Sequence, residues 1–89
     1  MAKVNIHPSL ARFTNNQNQL ELSMDTVSSV ISTLCQHFPL LKSSILNGDG
    51  ELTPYVNIYI NRKNLNQCVP QRLLTHDDEI DVITALVGG

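Results

Sequence analysis

The chain has 89 residues, a net charge of -2, 42% apolar residues and 16% charged residues. These values fit one globular domain with a single small core, which leaves no second domain to form a catalytic cleft. Elaborate catalysis is therefore not expected. Nucleic-acid binding is not expected either, because the sequence has no basic stripe. No apolar run approaches the roughly 20 residues needed to cross a bilayer, and the N-terminus lacks the apolar core of a signal peptide. We expect a cytoplasmic protein without a membrane partner.

Cysteine, histidine and glycine patterns give no sign of a metal or nucleotide site. Cys35 and Cys68 are too few for a disulfide framework and form no Cys-x-x-Cys pair, so free and mostly buried thiols are expected. His7, His37 and His76 fall on a strand end, a helix end and a turn, without metal-ligand spacing. No glycine-rich loop follows a strand and opens a helix, which argues against nucleotide binding by the chain itself.

Two strands are predicted near the N-terminus. Val4 and Ile6 alternate with polar residues, which is the pattern of a half-buried strand, and Pro8 ends or bends it. Residues 14–18 are polar and predict a turn. Alternation resumes beyond this turn at Leu20, Leu22 and Met24. The two segments therefore predict a hairpin.

A helix is predicted in the middle of the chain. Asp25 is placed to cap its N-terminus. Apolar residues then recur at the spacing of one helical face: Val27, Val30, Ile31, Leu34, Cys35 and Phe38. Pro39 ends the helix near Phe38, because the residue before a proline disfavours helical angles. Residues 40–46 predict a further short helical turn, and residues 47–50 predict a loop.

The last third of the chain predicts three strands. After Pro54, apolar residues alternate with polar and aromatic ones, with Tyr59 on the outer face. Residues 61–64 predict a turn into a short strand near Leu65, and residues 75–78 predict a second turn. Ile80 and Val82 belong to a last strand that runs almost to the end of the chain. The acidic residues 77–81 are expected to keep a turn and a sheet edge in water, and Arg62, Lys63 and Arg72 are expected to be solvated charges.

The element order is strand, strand, helix, strand, short strand, strand. This order predicts an α+β, β-grasp (ubiquitin-like) fold, with a mixed sheet of four to five strands covered on one face by one main helix. The domain is expected to comprise residues 1–85, followed by a flexible tail, residues 86–89. Gly88 and Gly89 lack a Cβ, so an extended end can pass through a slot too narrow for side chains. Terminal glycines also occur as frayed ends.

With this order and this end, the chain resembles the MoaD/ThiS family of ubiquitin-like sulfur carriers over nearly its whole length. The matching segments are residues 13–14, 37–40, 78–82 and 85–89. Residues 50–61 are similar to the branch of the family that carries sulfur for cysteine or secondary-metabolite synthesis. The expected function is therefore that of a carrier and not of an enzyme.

The resemblance implies chemistry at the C-terminus. An E1-like adenylating enzyme would use ATP to activate the Gly89 carboxylate, and no cofactor would be bound by the carrier. A sulfur donor, either a sulfurtransferase or a cysteine desulfurase, would then supply sulfur and leave a thiocarboxylate for a sulfur-accepting biosynthetic enzyme. Leu86, Val87, Gly88 and Tyr59 are candidates for partner binding. For Leu86 the alternative is packing in the chain's own core, and for Tyr59 it is cross-strand packing.

Three other functions remain open from the sequence. The small subunit of molybdopterin synthase has the same fold and tail, and its pathway is molybdenum cofactor biosynthesis. A ubiquitin-like modifier would end in an isopeptide bond between Gly89 and a lysine. A plain binding module would carry its two glycines without using them.

Overall fold

The structure, a computed structural model, describes residues 1–84. Its elements, in chain order, are β1 (Ala2–Ile6), β2 (Gln19–Leu22), α1 (Val30–His37), α2 (Pro39–Ile45), β3 (Val56–Ile60), β4 (Lys63–Asn64) and β5 (Glu79–Thr84). The sheet has the order β2-β1-β5-β3-β4. β1 and β5 are parallel, and the other neighbouring pairs are antiparallel. The β-grasp prediction is confirmed.

The helices cover one face of this sheet. Side chains alternate along the central strands, so every second residue lies in the core. The buried strand residues include Val4, Ile6, Ile58, Ile60, Ile80 and Val82, and the buried helix residues include Val30, Leu34, Leu41 and Ile45. The predicted inward faces of strands and helix are therefore confirmed, because alternation and helical spacing follow from local backbone geometry.

The helical layer differs from the prediction at its N-terminal cap. Asp25 does not cap the helix; its carbonyl accepts from the Leu74 amide at 2.9 Å. The helical region begins one residue later, where the Ser29 hydroxyl accepts from the Thr26 amide at 3.2 Å and donates to the Thr26 carbonyl at 2.7 Å. Phe38 then leaves the helical region, with φ -126 and ψ 86, and Pro39 begins a second helix. The first helix therefore ends before Pro39 as predicted, and the predicted short helical turn after it is α2.

The connection between β1 and β2 is also more elaborate than a turn. A 3-10 helix, Pro8–Phe13, precedes the predicted polar segment and buries Leu10. The buried Thr14 hydroxyl donates to the Gln17 carbonyl at 2.8 Å, which satisfies it inside the loop. Proline at the start of a helix is favourable because its missing N–H has no partner there. The two strands pair as predicted, although more than a hairpin turn separates them.

The acidic run contains one buried carboxylate, which corrects the expectation of solvated charge on a sheet edge. β5 is a central strand, and Asp78, just before it, is buried. Asp78 accepts from the Arg72 guanidinium at 2.9 and 3.3 Å, from Asn61 Nδ2 at 2.7 Å and from the Thr75 amide at 2.7 Å. The Arg72 guanidinium holds the pKa of this carboxyl well below its usual range. Arg72 therefore pairs within the domain, contrary to the prediction.

Candidate functional site

The last strand leads toward the predicted reactive end of the chain from the middle of the sheet. β5 pairs with β1 on one side and β3 on the other, with Val82 beside both Ile6 and Ile58. Thr84, the last described residue, lies opposite Val56. The point at which the described chain ends is therefore held by neighbouring strands. The predicted site residues Leu86, Val87, Gly88 and Gly89, and the domain boundary at residue 85, lie outside the described residues.

The sheet face turned away from the helices carries Tyr59. A row of paired residues crosses all five strands on this face: Gln19, Asn5, Asp81, Tyr59 and Asn64. Tyr59 is half-buried and lies directly between Asp81 and Asn64. Asp81 in turn accepts from Asn5 Nδ2 at 2.9 Å. Tyr59 thus has a paired residue on each neighbouring strand, and its role in partner binding stays a prediction.

Ile83 supplies an apolar side chain on the same face. It follows Asp81 by two residues, so alternation places both on one side of β5. Ile83 is 39% exposed, and it pairs with Asn57 of β3. We call Tyr59 and Ile83 the sheet patch. This patch spans β3 and β5, and Ile83 is only one residue before Thr84, the last described residue.

Neither cysteine is arranged as a nucleophile. Cys35 and Cys68 are free thiols of intermediate exposure. Burial raises the pKa of the Cys35 thiol, and the nearby Lys42 charge opposes this only in part. The Cys68 thiol donates weakly to the Asn64 carbonyl at 3.4 Å. Because the thiolate is the reactive form, a raised pKa disfavours reaction at Cys35.

The described residues offer neither a metal centre nor a membrane-spanning helix. Among residues 1–84, no group of three or more histidine, cysteine or acidic side chains is placed to hold a metal ion. Within the same range, no helix is long and apolar enough to cross a membrane. The end of β5 is the described element closest in sequence to the two terminal glycines.

Sequence reasoning missed one polar cluster beside the end of β5. His7 and Ser9 follow β1, and their side chains lie against Thr84. No local sequence signal connects residues so far apart in the chain. Only the parallel pairing of β1 with β5 brings them together.

The comparisons with known proteins bear on this arrangement. No family model matches the sequence. A protein of Archaeoglobus fulgidus, provisionally named a sulfur carrier protein, is 30% identical over 77 residues, which covers 83% of this chain and 88% of the relative. The chain belongs to the MoaD/ThiS family of ubiquitin-like sulfur carriers.

Solved structures place this MoaD/ThiS protein among small carriers and modifiers. CysO of Mycobacterium tuberculosis is 25% identical, with a TM-score of 0.76 over 97% of this chain and all of that one. Small archaeal modifier protein 1 of Methanosarcina acetivorans is 29% identical, with a TM-score of 0.75 over 99% of this chain and 95% of that one. A chain of the BexX/CysO complex of Amycolatopsis orientalis has a TM-score of 0.79 at 19% identity, with both chains fully covered. That last likeness concerns the fold alone.

These relatives define the role in general terms. A protein provisionally named a sulfur carrier is 30% identical to this chain, and a small archaeal modifier protein is 29% identical. The MoaD/ThiS protein described here thus has a sulfur carrier or modifier role.

Proposed function

We propose that the chain is a sulfur carrier whose Gly89 carboxylate is converted to a thiocarboxylate. The observation that carries this proposal is the similarity, over 83% of the chain, to a relative provisionally named a sulfur carrier. Gly88-Gly89, which come after the central strand β5 in the sequence, supply the chemical group. The carrier itself binds no cofactor in this proposal.

The proposed chemistry requires activation by another protein. A terminal carboxylate has a pKa of about 3.5, so it is ionised at neutral pH and is a poor electrophile. An E1-like enzyme joins a Gly89 carboxylate oxygen to the α-phosphate of ATP and releases pyrophosphate. A persulfide on a sulfurtransferase or cysteine desulfurase then attacks the acyl carbon, and AMP leaves. A thiol supplies two electrons to break the resulting S–S bond, which leaves the thiocarboxylate.

The reach of an extended chain gives a physical reason for a reacting group that follows the last strand in the sequence. Residues 85–89 can span at most about 17–18 Å when fully extended. A partner's active site can thus be buried while the β-grasp body remains outside. Leu86, Val87 and Gly88 contact the partner's channel in this proposal, and Tyr59 contributes from the sheet patch.

The pathway proposed is the one that residues 50–61 favour. Their similarity to the cysteine or secondary-metabolite branch supports a biosynthetic enzyme in the cytoplasm as the sulfur acceptor. The small subunit of molybdopterin synthase differs in docking permanently on a large catalytic subunit. Co-purification of such a subunit with the carrier would favour that function over the proposed branch.

A lysine-conjugated modifier is the second candidate. It is favoured by the 29% identity to small archaeal modifier protein 1, which extends over 99% of this chain. In that case Gly89 would form an isopeptide bond with a lysine of a target protein. The same activation step serves both functions, so the fate of the activated end distinguishes them.

The test is the intact mass of the protein after incubation with ATP, an activating enzyme and a sulfur donor. Replacement of oxygen by sulfur adds about 16 Da, to be located at Gly89 by fragmentation. Gly88→Ala, which adds a Cβ next to the reacting end, should abolish or strongly slow this gain. Gly48→Ala is the matched control, because its Cβ would meet no atom within 4 Å.

The outcomes separate the candidates. Sulfur gain in the wild type and in Gly48→Ala, with loss in Gly88→Ala, supports the carrier. Lysine-linked adducts in cells, without a thiocarboxylate, support the modifier. Unimpaired sulfur gain after deletion of Gly89 would contradict the proposed site.

A further inference from the structure

Three polar side chains meet where β1 and β5 end side by side. Ser9 Oγ lies 2.8 Å from Thr84 Oγ1 and 2.8 Å from His7 Nδ1. Thr84 Oγ1 lies 3.4 Å from the same nitrogen. We call these three residues the brace. It joins the segment after β1 to the last described residue of β5.

The polar atoms of the brace are hydrogen-bonded to one another. The Ser9 amide donates to His7 Nδ1 at 3.1 Å. The Ser9 and Thr84 hydroxyls share a hydrogen bond of 2.8 Å, in which either can be the donor. Thr84 is only 9% exposed, and leaving a buried hydroxyl without a partner costs free energy. The brace is therefore a satisfied network.

The brace adds to the backbone bonds at the end of the sheet. The His7 amide donates to the Val82 carbonyl at 2.9 Å, and Thr84 lies opposite Val56 on the other side. Strand ends fray unless something holds them. At Thr84 the side-chain link to Ser9 supplies this hold on the β1 side.

We propose that His7, Ser9 and Thr84 are positioning residues for sulfur transfer at Gly89. By holding Thr84, they fix the point from which residues 85–89 extend toward a partner. This inference rests on the proposed function, and it adds residues that neither the fold nor the tail sequence assigns to it.

The number of residues that follow the held part of β5 in the sequence gives the physical reason. If Ile83 and Thr84 are released, this number rises from five to seven, and the maximal span of the segment rises from about 17–18 Å to about 23–25 Å. The effective concentration of the end in a partner's site falls as this length grows. The released residues must also be ordered again at every turnover. Docking of the body is unchanged, so the loss falls on kcat and not on KM.

The test compares three threonine variants. Thr84→Val removes the hydroxyl and keeps the shape, and Thr84→Ser keeps the hydroxyl. Thr53→Val is the matched control, because the buried Thr53 Oγ1 has no hydrogen-bond partner among the described residues. Thiocarboxylate formation is measured against carrier concentration with the activating enzyme, ATP and the sulfur donor. Amide hydrogen exchange at residues 82–84 is measured on the free carrier.

We expect Thr84→Val to lower kcat roughly three- to tenfold at unchanged KM. Hydrogen exchange at residues 82–84 should be faster by a similar factor. Thr84→Ser and Thr53→Val should match the wild type, and Ser9→Ala should reproduce the loss. Agreement of all four variants would establish the positioning role.

Other results overturn the proposal. A wild-type kcat in Thr84→Val, with only a lower urea midpoint, would mean that the brace stabilises the fold and does nothing else. A higher KM at unchanged kcat would assign these residues to docking. If the wild type itself gains no sulfur, the proposed function fails and the role in transfer fails with it. Unchanged exchange at residues 82–84 in Thr84→Val would overturn the brace even where sulfur transfer proceeds.

Discussion

Asp78→Asn tests how far one buried carboxylate stabilises this domain. The substitution keeps the size of the side chain and removes its charge. One oxygen of Asp78 receives Arg72 and Asn61, and the other receives Arg72 and the Thr75 amide. An asparagine offers only one acceptor oxygen, so its NH₂ group faces a donor whichever way the amide is turned. The variant therefore loses the ion pair and leaves a buried donor unsatisfied.

The expected loss can be worked out from these contacts. A hydrogen bond to a charged group contributes about 1.5–3 kcal/mol, and an unsatisfied buried group costs about 1–3 kcal/mol. The Arg72 side chain is 42% exposed, so water can solvate it once the carboxylate is gone, which reduces the loss. We expect the free energy of unfolding to fall by about 2–4 kcal/mol at pH 7. The free energy of unfolding of a small domain is about 5 kcal/mol or little more, so this loss should be a large part of the total.

The pH dependence provides a second criterion. The pKa of Asp78 is lowered in the folded state, against about 3.9 in the unfolded chain. A lowered pKa contributes stability that is present above the unfolded value and is lost as pH falls below it. The difference between the wild type and Asp78→Asn should thus be constant above about pH 5 and should shrink below about pH 4.

The assay is urea unfolding over a pH series, with Asp77→Asn as the matched control. Asp77 pairs only with His76 among the described residues, and both side chains are about four-fifths exposed (84% and 79%). Exposed pairs contribute little, so this variant should unfold as the wild type does. A loss below about 0.5 kcal/mol in Asp78→Asn, or a loss that does not change between pH 7 and pH 2, would refute the argument.

Three further predictions concern single side chains. Thr53→Val should raise the free energy of unfolding by about 1 kcal/mol, since it removes a buried hydroxyl without a partner in the described structure; a lower urea midpoint would show that the hydroxyl is paired. Gly50→Ala should lower the free energy of unfolding by about 1–2 kcal/mol, because Gly50 has φ +79. Gly48→Ala, where no such φ is required, should be neutral or slightly stabilising. Equal urea unfolding midpoints of the two variants would contradict this. Tyr59→Ala should raise the KM of the activating enzyme for the carrier roughly tenfold at unchanged kcat. Leu40→Ala, the control, truncates an exposed apolar side chain on the helical layer and should leave KM unchanged. Equal kinetics of the two variants would show that Tyr59 is not part of the docking surface.

Much of the fold is local in origin and was therefore predictable. The alternation of Val56, Ile58 and Ile60 requires one buried face whatever the partner strands are. Pro39 prevents a continuous helix for a steric reason contained in its own ring. The element order and Gly88-Gly89 sufficed to recognise the MoaD/ThiS resemblance. The same local rules misplaced the helix cap at Asp25, since several side chains near a helix start can serve and packing decides among them.

The tertiary structure decided which distant residues meet. Asp78 belongs to an acidic run that the sequence predicts to be solvated, and only the folding of residues 72–75 over it makes it a buried ion-pair partner. His7 and Ser9 contact Thr84 because β1 pairs in parallel with β5, so that the C-terminal ends of the two strands lie side by side. Periodicity in a sequence reports the face of an element, and it carries no record of its neighbours. The sequence by itself therefore determined the faces of the strands and helices and the proposed reactive end, whereas strand order determined how Thr84, the last described residue, is held.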